Sequence, residues 1–149
     1  MQLSRSGVIR TLQDQWPGRI VLGHTLWLGD GRYWLPTLEQ LSELCINTFF
    51  QDYKYKVEVM DCTEFALLMH AFVAQERYRQ IRLRELTKDQ WFPWAFGQCW
   101  GSRFKNEPYN HACNICITTE GIVLIEPQWP GAPIWEPKDG EDELFFVFM

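Results

Sequence analysis

Apolar residues recur along this chain in two rhythms, and the change from one to the other divides it. Leu38, Leu41, Leu44 and Cys45, followed by Thr48 or Phe49, keep helical spacing. Thr37 supplies an N-cap and Gln40 completes a capping box, which predicts a helix running to about Phe50. Cys45 falls on its apolar face and reads as inert core. The next run is stronger. From Phe65 to Val73 only His70 is polar, and Asp61 and Glu64 stand where a second capping box needs them. A helix apolar on all sides belongs inside a domain, so this one is expected to be central and buried. It turns polar from Gln75 to Gln80. Arg77, Arg79, Arg82, Arg84 and Lys88 are expected to form a solvated basic end, the sign that suits a helix C-terminus.

Elsewhere the period shortens. Tyr53, Tyr55, Val57 and Val59 alternate with Lys54, Lys56 and Glu58, which fits a short strand or an extended lead-in. After Asp89 the chain reads as strands: aromatic stretches at 91–94 and 96–100, then Asn110 to Thr119, Ile122 to Glu126 and Leu144 to Phe148. Gly97, Gly101, Glu120-Gly121 and four prolines from Pro127 to Pro137 punctuate them. The apolar strand at 144–148 has to be paired or buried, because an exposed one would aggregate. At the N-terminus, Val8 to Leu12 fits a short helix or strand, and Arg19 to Leu28 a hairpin or arm. Helices followed by an antiparallel sheet make an α+β fold. The central helix is expected to pack on a twisted antiparallel sheet. The 149 residues suit one domain, 1–149, with residues 1–34 partly an extended arm or hairpin.

Composition narrows the partners. A net charge of −5 argues against nucleic acid. No stretch is apolar enough to span a membrane, and Met1 to Arg10 lacks the apolar core of a signal peptide. Five cysteines form no disulfide framework, so a reduced, cytoplasmic location is expected. The eight tryptophans mostly suit a core, with Trp100 and Trp129 as candidates to line a groove.

Candidate chemistry starts at Cys62, on the N-terminal tip of the apolar helix. The helix dipole and free N–H groups there favour thiolate. A nucleophilic thiol needs a base, normally His, oriented by a third group. His24 lies in loosely patterned sequence. His70 is roughly 12 Å further along the same helix and reads as a core histidine with a local partner. His111 opens a strand and is the remaining choice. Its orienting group is expected from the next strand, where Glu126 and Gln128 are both candidates. Face parity permits either, and the length of the turn near Glu120-Gly121 decides. Glu126 is favoured, because a carboxylate stabilises imidazolium better than an amide; Gln128 would then orient His111 or touch substrate. The backbone N–H of Cys62 would serve as one oxyanion donor, with Gln51 or Trp34 as a second. Cys113 and Cys116 point to opposite faces of a strand, which argues against a shared metal or redox role. Asp61 and Glu64 read as caps before they read as a cation site.

The runs Asp61-Cys62-Thr63-Glu64-Phe65-Ala66, Trp100-Gly101, His111-Ala112-Cys113-Asn114 and Leu124-Ile125-Glu126-Pro127-Gln128 occur in this order. Across residues 35–130 the chain resembles the papain-like cysteine-protease domain of the Marasmius oreades agglutinin and its relatives. The sugar-binding trefoil that precedes that domain has no room in 149 residues. The resemblance implies a papain-like fold, a triad of Cys62, His111 and Glu126, and calcium activation. The expected function is cysteine-dependent acyl transfer, foremost hydrolysis of a protein or peptide. The other readings are a transglutaminase-like or amidase activity, or a catalytically silent interaction protein.

Overall fold

The computed structural model describes residues 1–48, 52–138 and 141–149. In chain order the regular elements are β1 (Gln2–Ser4), α1 (Arg5–Gln15), β2 (Leu26–Trp27), β3 (Arg32–Trp34), α2 (Leu38–Ile46) and α3 (Cys62–Arg82). They continue with β4 (Phe96–Ser102), β5 (Asn110–Ile117), β6 (Ile122–Ile125), β7 (Ile134–Trp135) and β8 (Glu143–Phe148). Helices and strands are mixed, as the two rhythms of the sequence imply. β1 and β3 pair as a small ribbon. The main sheet has the order β2-β8-β4-β5-β6-β7. It is mixed rather than purely antiparallel, because β2 runs parallel to β8 while the other neighbours are antiparallel. β8 is paired on both sides, which disposes of the aggregation hazard of its apolar run.

Strand alternation feeds two cores. Cys113, Ile115 and Ile117 of β5 join Val8 and Leu12 of α1, together with Leu26, Leu124 and Val147. Cys116 of the same strand joins Leu41 and Leu44 of α2 and Phe65, Met69 and Val73 of α3. Side chains of alternating parity point to opposite faces, so α1 covers one face of the sheet and α2 with α3 the other.

α3 is a covering helix, not one buried on all sides. Phe65, Met69, Val73 and Arg77 recur every four residues and are buried, whereas Leu67 is 54% exposed. A helix lying flat on a sheet can bury only one stripe, so the apolar composition of its outer face does not place it inside. The basic end is also not wholly solvated. Arg77 is buried and donates to the carbonyls of Gln90 and Phe92, holding the chain that leads into β4. Arg79 lies between Glu76 and Glu85.

Both capping boxes form. α2 nevertheless ends at Ile46, where Asn47 caps it and Thr48 turns its hydroxyl onto the Cys45 carbonyl. The expected end at Phe50 lies outside the described residues. No strand forms at 52–59. A turn closes between Lys56 and Met60 around Glu58, whose φ is 60°, and Tyr53, Tyr55, Val57 and Val59 are exposed. Residues 91–94 likewise form no strand; Trp94 only bridges to Trp34.

The β5–β6 turn sets the site register. Thr118 N–H donates to the Gly121 carbonyl and Ile117 faces Ile122, leaving Thr119-Glu120 at the tip. The Thr118 hydroxyl accepts from the N–H groups of Glu120 and Gly121, which pins this tip one residue earlier than the Glu120-Gly121 signal suggests. Moving a hairpin tip by one residue moves each cross-strand partner by two. The faces are therefore preserved while the partners change.

Gly97 in β4 lies against the end of β8, and a Cβ there would overlap the Phe148 carbonyl oxygen and the Met149 side chain. The strand backbone cannot retreat without breaking its ladder. Gly97→Ala is expected to lower the unfolding free energy by about 1–3 kcal/mol, read from the midpoint of a urea transition at unchanged slope.

Candidate functional site

Cys62 is the first residue of α3. Asp61 accepts from the Thr63 N–H at 2.9 Å, and Glu64 reaches back to the Asp61 N–H at 3.0 Å. The box fixes where the helix begins and so where the thiol stands. The axial position of α3 is fixed by Asn114 of β5. Its buried amide donates to the Ala66 carbonyl at 2.8 Å and to the Gly97 carbonyl at 3.0 Å. Ala66 lies one helical turn, about 6 Å, beyond Cys62. Ala112 lies two residues, about 6.6 Å, before Asn114 on the strand. The bond at Asn114 thus brings Cys62 level with Ala112, and the Ala112 N–H donates to the thiol.

His111 stands beside that point and is hydrogen-bonded to Cys62. Its Nε2 meets Glu126 Oε2 at 2.5 Å, so Nδ1 is the nitrogen left for sulfur. Glu126 sits in the register position opposite Cys113, diagonal to His111. It is held from behind by the Gln128 N–H, 3.0 Å from Oε1. Gln128 therefore acts on Glu126 through its backbone rather than on His111. Its side-chain Nε2 is buried without a partner.

These contacts shift both members of the pair. The hydrogen bond from His111 is the main influence lowering the Cys62 pKa. Burial opposes it, while the Ala112 N–H and the imidazolium charge reinforce it. For His111, burial is the largest influence and disfavours the charge. The hydrogen bonds to Cys62 and Glu126, with the charges behind them, outweigh it and raise the pKa to about 9. Between the lowered value of the thiol and about 9, the pair is thiolate and imidazolium. Such a thiolate is nucleophilic and accessible, since Cys62 is only half-buried.

The other cysteines are sealed. Burial pushes Cys45 up to about 12 and holds Cys113 and Cys116 well above the ordinary thiol range. Cys113 and Cys116 lie in different cores, as their spacing requires. His70 is a partly buried histidine near Gln98, and burial lowers its pKa. Trp34 lines a groove between α2 and α3, and Gln51 lies outside the described residues. Asp61 and Glu64 are engaged in capping, and among the described residues no three His, Cys, Asp or Glu side chains gather to hold a metal.

A cleft opens beside His111, lined by Tyr109, Glu126, Gln128, Trp129 and Trp135 among others. Tyr109 sets its ring edge-on to His111, with centroids 6.1 Å apart. Lys105 places its ammonium 4.5 Å from the Trp135 ring centre. Trp129 is exposed here as a groove residue should be, while Trp100 packs on Phe146. Tyr109, Lys105 and Asn114 were not legible as site residues. For Asn114 a signal existed: one amide inside the apolar run Ala112–Ile117 must find buried partners.

The Agglutinin C-terminal family model matches residues 33–130. The fold is similar to the solved PSL1a–E64 complex, with a TM-score of 0.72 and 20% identity over 99% of this chain and 50% of that one. It is similar also to a Polyporus squamosus lectin bound to the human-type influenza-binding epitope Neu5Aca2-6Galb1-4GlcNAc. There the TM-score is 0.73, with 20% identity over 99% of this chain and 49% of that one. The chain thus spans about half the length of these solved chains, and identity at this level shows the fold alone. No curated protein matches it. These findings overturn the expected function. Neither the agglutinin family nor the lectin neighbours support the expected acyl-transfer enzyme, and the reading as a thiol-protease hydrolase with a catalytic triad does not stand. The family match covers about two thirds of the sequence, and the chain belongs to the Agglutinin C-terminal family.

Proposed function

We propose that this chain works in carbohydrate recognition, as the C-terminal type of module found in agglutinins. The observation that carries this reading is the likeness of 99% of the chain to a lectin bound to a sialylated epitope. The net charge of −5 agrees with a ligand that is not polyanionic. Within this reading the scaffold is papain-like: a helix with a thiol at its tip, packed on a sheet whose neighbouring strand carries the imidazole. Its own chemical asset is the ion pair of Cys62 and His111, held by Glu126. The buried amide of Gln128 faces no protein acceptor and marks the adjoining cleft as a place for a ligand oxygen. The pair makes Cys62 reactive toward electrophiles, and the other cysteines, being buried, stay silent.

Two measurements test this. On an array of immobilised glycans the chain is expected to bind a subset, and free saccharide is expected to displace it. Retention of no glycan across the array would sink the carbohydrate reading. Iodoacetamide labelling followed by mass spectrometry tests the thiol separately. An ordinary thiol has a pKa of about 8.5 and loses its thiolate as pH falls below it. Cys62, with its pKa lowered, is expected to label at pH 6–7 at least ~10-fold faster than in His111→Ala. Glu126→Gln removes the charge behind His111, so its imidazolium is expected to deprotonate below the wild-type value of about 9, seen as a shift of the upper limb of the labelling profile. Labelling that follows the profile of a free thiol would show that the pair does not form.

A further inference from the structure

The Lys105 ammonium rests on two indole faces at once. It lies 4.5 Å from the centre of the Trp135 ring and 5.5 Å from that of Trp129. Both distances fall within the roughly 6 Å over which a ring quadrupole attracts a cation. Among the described residues no carboxylate forms an ion pair with this ammonium, so the rings are what hold it. Trp129 is 57% exposed and Lys105 is exposed, so the contact is open to solvent.

The platform beneath the lysine is firmly built. Asp142 is buried and accepts from the Lys105 N–H at 3.2 Å and the Lys138 N–H at 2.8 Å. The Trp135 indole N–H lies 3.5 Å from the same oxygen that takes Lys105. One carboxylate thus fixes both the ring and the backbone of the residue that covers it. Phe104 sets its ring edge-on to Trp135, with centroids 6.4 Å apart. Arg103 and Lys105 hold left-handed φ values of 62° and 53°, a conformation that residues with a Cβ keep only where their surroundings impose it. The rings and the backbone are therefore anchored. The four-carbon stem of the lysine is the part free to swing away.

The surroundings carry the sign that draws a cation. In the cleft beside His111 the imidazolium is balanced by the Cys62 thiolate, which leaves Glu107 and Glu126. A second cleft that Lys105 and Trp135 also line carries Glu136, Glu141 and Asp142 against Lys138. Without Lys105 both linings are acidic, so a cation that replaces it restores the same balance. A primary ammonium is strongly hydrated and gives up much of its water to lie on a ring. A guanidinium is more weakly hydrated and stacks on aromatic faces, and quaternary ammonium groups are the cations that aromatic cages recognise.

We propose that Trp129 and Trp135 form a binding site for a weakly hydrated organic cation, a guanidinium or quaternary ammonium group, and that Lys105 is its internal plug, displaced when the ligand enters. The site goes beyond the carbohydrate reading and does not depend on it. Because the plug competes with the ligand, the apparent affinity is the intrinsic one reduced to the fraction of molecules whose cage is open.

The test uses the full chain labelled with nitrogen-15. It is titrated with tetramethylammonium chloride and with N-acetylarginine amide up to tens of millimolar, with sodium chloride and sodium acetate at matched ionic strength as controls. Both organic cations are expected to shift the Trp129 and Trp135 indole N–H resonances saturably, and neither control is. Lys105→Ala removes an exposed side chain and keeps a Cβ at the same backbone. It is expected to tighten binding of both cations about 3–10-fold, the factor for a plug that fills the cage roughly 70–90% of the time. Trp129→Ala takes away one wall and is expected to abolish the saturable shift at Trp135. Binding that is no tighter, or is weaker, in Lys105→Ala would show that the lysine is not a plug and overturn the proposal. So would saturable shifts with acetate in place of the cations, or none with either cation in both the wild type and Lys105→Ala. The glycan array tests the carbohydrate reading separately, and none of these outcomes alters it.

Discussion

The amide of Asn114 ties the helix layer to the sheet. It donates to a carbonyl of α3 and to one of β4, and it does so from the middle of β5, with no exposed surface. Apolar packing between α3 and the sheet is not directional. It would tolerate a slide of the helix along its axis by a side chain's width. A buried amide pair of bonds does not, because a slide would leave donors unpaired in a low-dielectric interior. Everything at the thiol follows from that fixed level. Cys62 comes beside Ala112, His111 comes within reach of sulfur, and the capping box at Asp61 and Glu64 holds the first turn in place.

The charge state of the site is a contest between burial and pairing. Burial alone would keep both thiol and imidazole neutral, as it does at His70 and at the sealed cysteines. At Cys62 and His111 it is outweighed, because each group is the other's hydrogen-bond partner and Glu126 stands behind the imidazole. Glu126 is in turn fixed by a backbone N–H rather than by a flexible side chain. The chain of contacts runs from a helix tip through a strand to the loop after β6. A change in any of those elements alters the protonation of sulfur. This geometry describes a reactive thiol on an agglutinin-family scaffold.

α3 joins the two concave regions of the molecule. Its 21 residues span about 30 Å. The first turn belongs to the thiol, the middle stripe to the core against β5, and the last turns to the groove beside α2. Arg77 shows how the far end is organised. Its buried guanidinium gathers the carbonyls of the segment that leads into β4, so the base of the groove and the entry of a central strand are stabilised by the same side chain.

Some of this was legible in the sequence for local reasons. The two capping boxes, the helical faces of α2 and α3, the hairpin between β5 and β6 and the opposed faces of Cys113 and Cys116 depend on neighbours a few residues apart. Face parity on β5 and β6 survives a displaced turn, so Glu126 and Gln128 could be nominated before their register was known. What the tertiary structure decided required contacts distant in sequence. α3 proved to be a covering layer because only the sheet determines which of its apolar residues are buried. β2 joined β8 in parallel across 121 positions, from Leu26 to its partner Val147, a pairing no local pattern encodes. Glu126 rather than Gln128 met His111 because the Thr118 hydroxyl fixed the turn one residue early. The thiol at a helix tip was written in the sequence. Its partner, its level on the sheet and the groove at the other end of the same helix were set by packing.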